Sequence, residues 1–304
     1  MIHAAGHNGS QVPNSRQYVQ KVMRYGVATK PLPVCEYTID GAPDGPTLVF
    51  IHGWPDSANV WRKQVEALGQ SFRCVLVTLP NFGEEAVQAG GFDFPELVGR
   101  LAATVRQVQP QGKVGLVTHD WGAYIGYLLE KTHPDLFMKM AALDIGGHLK
   151  PADFKSAMMA IGYQWSLIAC WLAGGVIPPL GALMTKGVAN VIRVPARQRT
   201  LIRSRYNYSY FYFWRNTLLP WKRGGLLGRY RPRCPVLYLF GERKPLMFHS
   251  PKWLQIVSDS GGYAEGIAGA GHWLMETHAD AVNEKMADWF KDLPDQDAAT
   301  RLHP

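Results

Sequence analysis

Val117-Thr118-His119-Asp120-Trp121-Gly122-Ala123 is the stretch whose reading decides the fold. Ahead of it, Lys113-Val114-Gly115-Leu116-Val117 is apolar and β-branched enough for a buried strand. Behind it, Ala123-Tyr124-Ile125-Gly126-Tyr127-Leu128-Leu129-Glu130-Lys131 reads as a helix. A strand that breaks directly into a helix holds its central residue on a tight, strained turn, with the side chain pushed out of the sheet. That is the geometry of a nucleophile elbow, usually written Gly-x-Ser-x-Gly. The apex here is Asp120, so such an elbow presents a carboxylate. A carboxylate nucleophile is typically alkylated by its substrate rather than acylated.

Working outward, the same alternation continues on both sides. Upstream, strands are expected over residues 33–39, 47–51 and 72–79, with a turn cluster at 40–45 and helices at 61–68 and 94–108. Downstream come a strand at 138–143, then strands at 235–240 and 263–267 and helices at 251–257 and 280–290. Strands that read as nearly continuous apolar runs, alternating with helices, predict a mostly parallel sheet covered on both faces.

The alternation is interrupted between 148 and 229, which reads as helical and aromatic. The expected organisation is a flexible leader over 1–30, an α/β core over 31–147 and 230–293, an inserted helical cap over 148–229 and a loose tail over 294–304. Residues 156–185 carry no charge. By length that stretch admits a transmembrane helix. Gly174-Gly175 and Pro178-Pro179 cut it into pieces too short to span, so it reads as helices packed over an apolar pocket. Shallow peripheral membrane contact, helped by the basic residues that follow, is the lesser reading.

The 304 residues are 47% hydrophobic and 18% charged, a globular composition. The net charge of +8 is uneven: between Asp153 and Glu242 there is no acid but thirteen Lys or Arg. Such a patch suits lipid headgroups or an acidic substrate, although a solvated basic cap surface is the plainer account. Cys35, Cys74, Cys170 and Cys234 are scattered, without the spacing of a disulfide framework or a zinc site. The first residues lack the apolar region of a signal peptide. Their basic, acid-free composition leaves organellar targeting open, and a cytoplasmic location is expected.

In a parallel sheet, ligands bind at the carboxyl ends of the strands. His52-Gly53-Trp54-Pro55, Asp120-Trp121, Asp144 and Gly241-Glu242 all fall at such ends. Gly269-Ala270-Gly271-His272-Trp273 delivers an imidazole after the last strand. An acid at an elbow, a second acid and a histidine, in that order and all at strand ends, point to a catalytic set.

With those motifs the chain resembles the α/β-hydrolase superfamily, and within it the epoxide hydrolase and haloalkane dehalogenase branch. His52-Gly53-Trp54-Pro55 resembles that branch's oxyanion turn, His119-Asp120-Trp121-Gly122 its elbow and Gly271-His272 its base loop. The resemblance covers roughly residues 34–290 and implies the α/β-hydrolase fold with an inserted cap. It also implies that Asp120 attacks an electrophilic carbon to form an ester and that His272 activates the water that cleaves it. The backbone N–H groups of Trp54 and Trp121 are the oxyanion candidates.

His272 requires a carboxylate partner. Many relatives carry an aspartate about three residues past the glycine after the seventh strand, and here that position is Lys244. Some dehalogenases instead use an acid at the end of the sixth strand, which Leu143-Asp144-Ile145 matches. Asp144 is therefore assigned as the third member, with Glu242 as the alternative. The family activates the epoxide oxygen with two cap tyrosines. The resemblance of Ile161-Gly162-Tyr163-Gln164-Trp165 selects Tyr163, and the segment 206–216 offers Tyr210 as the second. Trp214, Tyr206 and Phe248 complete the expected substrate-binding set.

An epoxide hydrolase converting a lipophilic epoxide to a diol ranks first, and an epoxidised fatty acid fits both the apolar and the basic character of the cap. A haloalkane or haloacid dehalogenase is second, with the edges of Trp54, Trp121 or Trp214 stabilising halide. A fold that has become a non-catalytic binding protein is third, and Lys244 is its best support. A serine esterase lacks its Gly-x-Ser-x-Gly. Neither a metal nor an organic cofactor is implied, because no ligand spacing or dinucleotide fingerprint occurs. The expected partner is a small lipophilic substrate with room for a carboxylate; nucleic acid is not expected, and the sequence leaves the oligomeric state open.

Overall fold

The computed structural model describes residues 32–83, 86–151, 153–195, 197, 199, 202–219 and 226–295. The expected leader, and the tail from residue 296, lie outside them. Among the described residues the apolar runs form a seven-stranded sheet: β1 (Tyr37–Gly41), β2 (Thr47–Ile51), β3 (Arg73–Val77), β4 (Val114–His119), β5 (Phe137–Leu143), β6 (Val236–Gly241) and β7 (Tyr263–Ile267). The order is β1-β3-β2-β4-β5-β6-β7, with β1 antiparallel to β3 and every other pairing parallel.

Strand side chains alternate between the faces. Val49, Ile51, Val75 and Val77 feed one core, and Leu48, Phe50, Cys74 and Leu76 the other. Helices cover both faces, which is why β2 and β4 are buried along their whole length. In chain order these helices are α1 (Arg62–Leu68), α2 (Phe94–Val108), α3 (Trp121–Thr132), α4 (Phe154–Val176), α5 (Pro178–Val191), α6 (Tyr208–Leu218), α7 (Pro251–Asp259), α8 (Leu274–Thr277) and α9 (Ala279–Phe290).

The register sets the site. His119 pairs with Leu143 across β4 and β5, so Asp120 and Asp144 each sit one residue beyond neighbouring strands. Ile51 pairs with Thr118, which brings the turn after β2 to the same edge. Asp120 has φ 55° and ψ −126°, and α3 begins at the next residue. Helix and strand meet without an intervening loop, closer than the periodicity implied. Holding a non-glycine residue there costs about 1–3 kcal/mol. Burying one or two of the surrounding Val, Leu or Phe side chains, at about 1.5–3 kcal/mol each, offsets that. Gly122 is required by the same approach: a Cβ there would lie 2.3 Å from the Ile51 carbonyl oxygen.

Helices α4, α5 and α6 fall between β5 and β6 in the chain. Side chains of the segment around α6 tether it to the core. Asn216 donates to Asp93 at 2.8 Å, Arg215 pairs with the other Asp93 oxygen, and Tyr208 donates to the Pro80 carbonyl at 3.0 Å. Gly174 on α4 and Gly181 on α5 meet backbone to backbone, so the two helices form a close hairpin.

Candidate active site

The elbow carboxylate is held from two sides. The Trp54 N–H donates to Asp120 Oδ1 at 2.7 Å, and the Trp121 N–H also bonds to this carboxylate. The turn can come so near only because residue 53 is glycine: a Cβ there would lie 2.4 Å from Asp120 Oδ1. His52 Nδ1 donates to the Gly53 carbonyl at 3.0 Å, and its Nε2 accepts from the Leu79 N–H at 3.1 Å. Burial lowers this imidazole to about 4, so it stays neutral as a brace of the turn.

Oδ2 of Asp120 faces His272 Nε2 at 3.4 Å. On the far side of the ring, His272 Nδ1 lies 2.6 Å from Asp144 Oδ2. An ionised carboxylate only accepts, so the Nδ1 nitrogen carries the proton in that bond. Asp144 is fixed in turn: its N–H donates to the Leu239 carbonyl at 2.8 Å, and its Oδ1 accepts from the Gly241 N–H at 3.0 Å and from Lys244. Glu242, the alternative acid, is turned elsewhere. It is exposed, and its carboxyl group lies against Gly266. Asp144, and not Glu242, is the carboxylate the structure brings to His272.

These contacts decide the charges. Burial alone would raise Asp120, but the hydrogen bond and charge of His272 outweigh it and hold the carboxyl below its usual range. The same balance, with Lys244 added, holds Asp144 down at about 2. Burial lowers His272, yet its two carboxylate partners prevail and raise it to about 9. At neutral pH two anions, Asp120 and Asp144, thus face two cations, His272 and Lys244.

Two further buried groups frame the imidazole. His119 Nε2 donates to the His272 carbonyl at 3.0 Å, and the two rings lie 4.5 Å apart. Burial, and then the neighbouring His272, lower His119 to about 3, which fixes it as a neutral tether. Asp56 accepts from Trp273 Nε1 at 3.1 Å with one oxygen, while its other oxygen has no partner. Burial raises it to about 7 despite the Trp273 bond. Nothing in the sequence singled out Asp56, which reads there as an ordinary turn residue after Pro55. Lys244 was visible only as a basic residue where an acid was expected.

Around the carboxylate, α4 and α6 supply aromatic side chains. Tyr210 meets Trp54 at 5.8 Å, Trp121 at 4.9 Å and Tyr163 at 6.1 Å, ring centre to ring centre. Burial, reinforced by the Asp120 charge, raises the Tyr210 hydroxyl well above its ordinary value, while the Trp121 side chain hydrogen-bonds to it. Burial raises Tyr163 to about 12, and Asp120 adds to that shift. Both phenols are therefore protonated and under the influence of Asp120.

Phe248 packs 5.6 Å from the His272 ring. Tyr206 and Trp214 are engaged differently. Tyr206 stacks on Phe82 at 4.4 Å, and Trp214 donates its indole N–H to Gln164 at 2.9 Å while packing on Trp165. Phe213, not singled out from the sequence, is the α6 side chain that joins Tyr210 against Trp121, at 5.8 Å. Helical phase explains the exchange, since neighbours on a helix point about 100° apart. Among the described residues no group of three or more His, Cys, Asp or Glu is arranged to hold a metal ion.

Comparison with known proteins adds the following. A family model described as the alpha/beta hydrolase family matches residues 48–285. The chain is 30% identical over 172 residues to a soluble epoxide hydrolase of Corynebacterium sp. (strain C12), covering 55% of this chain and 56% of that one. It thus spans about half the length of this curated relative, and less of others. Among solved structures, an inhibitor complex of Bacillus megaterium epoxide hydrolase superposes with a TM-score of 0.62 at 19% identity, over 85% of this chain and 97% of that one. A haloalkane dehalogenase loop variant from Bradyrhizobium elkanii gives 0.63 at 18% identity, over 88% and 95%. These two structural likenesses establish the fold and nothing finer.

Proposed function

The chain belongs to the alpha/beta hydrolase family, and from that footing we propose that it is an epoxide hydrolase acting through an ester at Asp120. One observation carries the reading. Asp120 offers Oδ2 toward His272 while its Oδ1 accepts the Trp54 N–H. Attack by Oδ2 on an epoxide carbon opens the ring, and Tyr163 or Tyr210 gives its proton to the departing oxygen. The product is an alkyl ester whose carbonyl oxygen is Oδ1, already bonded to the Trp54 N–H, with the Trp121 N–H also on this carboxyl group.

The second half follows from the charges. Esterification neutralises Asp120 and removes one of the two carboxylates that raise His272. Its pKa falls, the proton on Nε2 replaces the one the tyrosine gave up, restoring the phenol, and the free nitrogen takes a proton from water. Hydroxide adds to the ester carbonyl, and the oxyanion on Oδ1 is stabilised by the Trp54 N–H already bonded there, with the Trp121 N–H beside it. Collapse releases the diol and restores Asp120. Asp144 fixes the tautomer and stabilises the imidazolium. The walls of Trp54, Trp121, Phe213 and Phe248 favour a lipophilic substrate.

A dehalogenase needs donors for halide, and the indoles nominated from the sequence are occupied. Trp54 donates to Asn207 at 2.7 Å, Trp214 to Gln164, and Trp121 bonds to Tyr210. That occupation supports the epoxide reading over the halide one. Lys244, the best support for a binding protein, is here a counter-charge to Asp144 rather than the loss of an acid.

A single turnover in ¹⁸O-water tests the mechanism. The label is expected in Asp120 and not in the first diol; label directly in the diol sinks the ester route. A panel of lipophilic epoxides and alkyl halides tests the leaving group. Halide release without diol formation from any epoxide overturns the assignment.

A further inference from the structure

The cap carries a surface that the reaction does not use. At the turn of the α4–α5 hairpin, Val176, Ile177, Pro178, Pro179 and Leu180 are five consecutive exposed apolar residues, with Val176 82% exposed. The exposure continues along α4 through Phe154, Met158, Trp165 and Leu172, at the four- and seven-residue spacing of one helical face. On α5 it continues through Leu183 and Val191, 70% and 81% exposed. Soluble monomers rarely leave so much apolar surface in one contiguous segment without a binding role.

The charges are arranged around this surface rather than on it. No charged side chain occurs over residues 156–185, and no acid between Asp153 and Glu242. Lys150 and Lys155 are exposed at the start of α4, and Arg193 follows the end of α5, so cations flank the base of the hairpin while its tip has none. From Pro178 to Lys186 is eight residues, about 12 Å of helix. That fits within one hydrocarbon leaflet, half of the roughly 30 Å core.

We propose that the α4–α5 hairpin docks the protein on an anionic lipid surface, its apolar tip entering one leaflet and its basic base meeting the headgroups. Such an arrangement is that of an interfacial helix, in which apolar insertion and attraction to anionic lipid act together. A second copy of the chain fits less well, because a face-to-face dimer would juxtapose two collars in which Lys150, Lys155 and Arg193 outnumber the one acid, Asp153. Crossing the membrane fits less well too. By length and composition α4 is sufficient to span. Its inner side, however, is committed to the fold: Leu167, Ile168 and Cys170 are buried, and the Leu167 carbonyl accepts from Asn207 at 3.2 Å. The docking rests on this surface alone and is independent of the reaction proposed for Asp120.

The test is flotation of the full chain with vesicles of phosphatidylcholine, with and without about a quarter phosphatidylglycerol. Binding is expected to the anionic vesicles, weakening as salt is raised. Ile177→Asp with Leu180→Asp should reduce it by about tenfold or more. Both sites are exposed, so the melting temperature should hold, which separates lost docking from lost folding. An Ile177→Trp variant should be quenched by brominated lipid. Absence of flotation on anionic vesicles, or full binding by the double variant, overturns the proposal. So does a concentration-dependent dimer in sedimentation that the double variant abolishes, because the surface then serves a second copy.

Discussion

Lys244 pairs with Asp144 on the oxygen opposite to the one that holds His272. A cation therefore stands where the resemblance implies an acid, and the acid that holds His272 lies at the end of β5. Lys244→Met leaves Asp144 facing His272 without its counter-charge. The carboxylate then holds the imidazolium more strongly, so His272 releases its proton less readily. Rapid-quench kinetics should show ester formation little changed and ester hydrolysis slowed about tenfold for each unit the His272 pKa rises. The acid limb of the hydrolytic step should move to higher pH, and Lys244→Arg should restore it. Removing one partner of a buried pair also lowers stability, by about 3–5 kcal/mol. The ratio of the two rates is therefore the diagnostic measurement, and an unchanged ratio and profile would assign Lys244 to packing alone.

Gly53 has no room for a methyl group beside Asp120. Gly53→Ala should push the turn off the carboxylate and weaken the Trp54 N–H bond to Oδ1. Loss of one such donor costs about 10²–10³ in rate. The loss should appear in kcat for ester hydrolysis, measured beside circular dichroism to verify the fold. Wild-type turnover by this variant would mean that the Trp54 N–H is not an oxyanion donor.

Tyr163 and Tyr210 divide the leaving-group reading. Either phenylalanine variant should slow alkylation by an epoxide, and the double variant should lose about 10²–10⁴-fold, the usual range for general acid catalysis. Alkylation by an activated alkyl halide needs no proton and should be spared. Equal losses on both substrates would point to a packing defect rather than to lost proton donation.

Asp56 gives a pH test of stability. Its folded-state pKa is raised from 3.8 to about 7. Between those values the unfolded chain has released the proton and the fold has not, so this group makes stability fall as pH rises. Asp56→Asn mimics the protonated side chain and keeps an acceptor for Trp273. Its melting temperature relative to wild type should therefore rise from pH 4 to a plateau above about pH 7. A constant difference across that range would show that Asp56 is ionised throughout.

The frame of the site was legible because it depends on local rules. Continuous apolar strands announced the parallel sheet. Asp120 and His272 were legible from motifs at strand ends, and Asp144 from Leu143-Asp144-Ile145 together with the lysine at the usual acid position. What escaped depends on burial and helical phase. Asp56 and His119 matter because no solvent reaches them, which a turn and a strand end do not reveal. Phe213 and Trp214 differ by one position on α6, and only the packed helix shows which of the two faces Trp121.

The His119 bond to the His272 carbonyl spans 153 residues of sequence. In the mechanism proposed above, the side chain immediately before the elbow apex therefore aligns the proton carrier, while the apex itself supplies the reagent. Alignment and reactivity are encoded at separate, adjacent positions. Exchanging the apex residue would alter which bond is attacked and leave the reach of the imidazole where residue 119 sets it. An elbow built this way can acquire a new reaction by changing a single side chain, without rebuilding the rest of the machine.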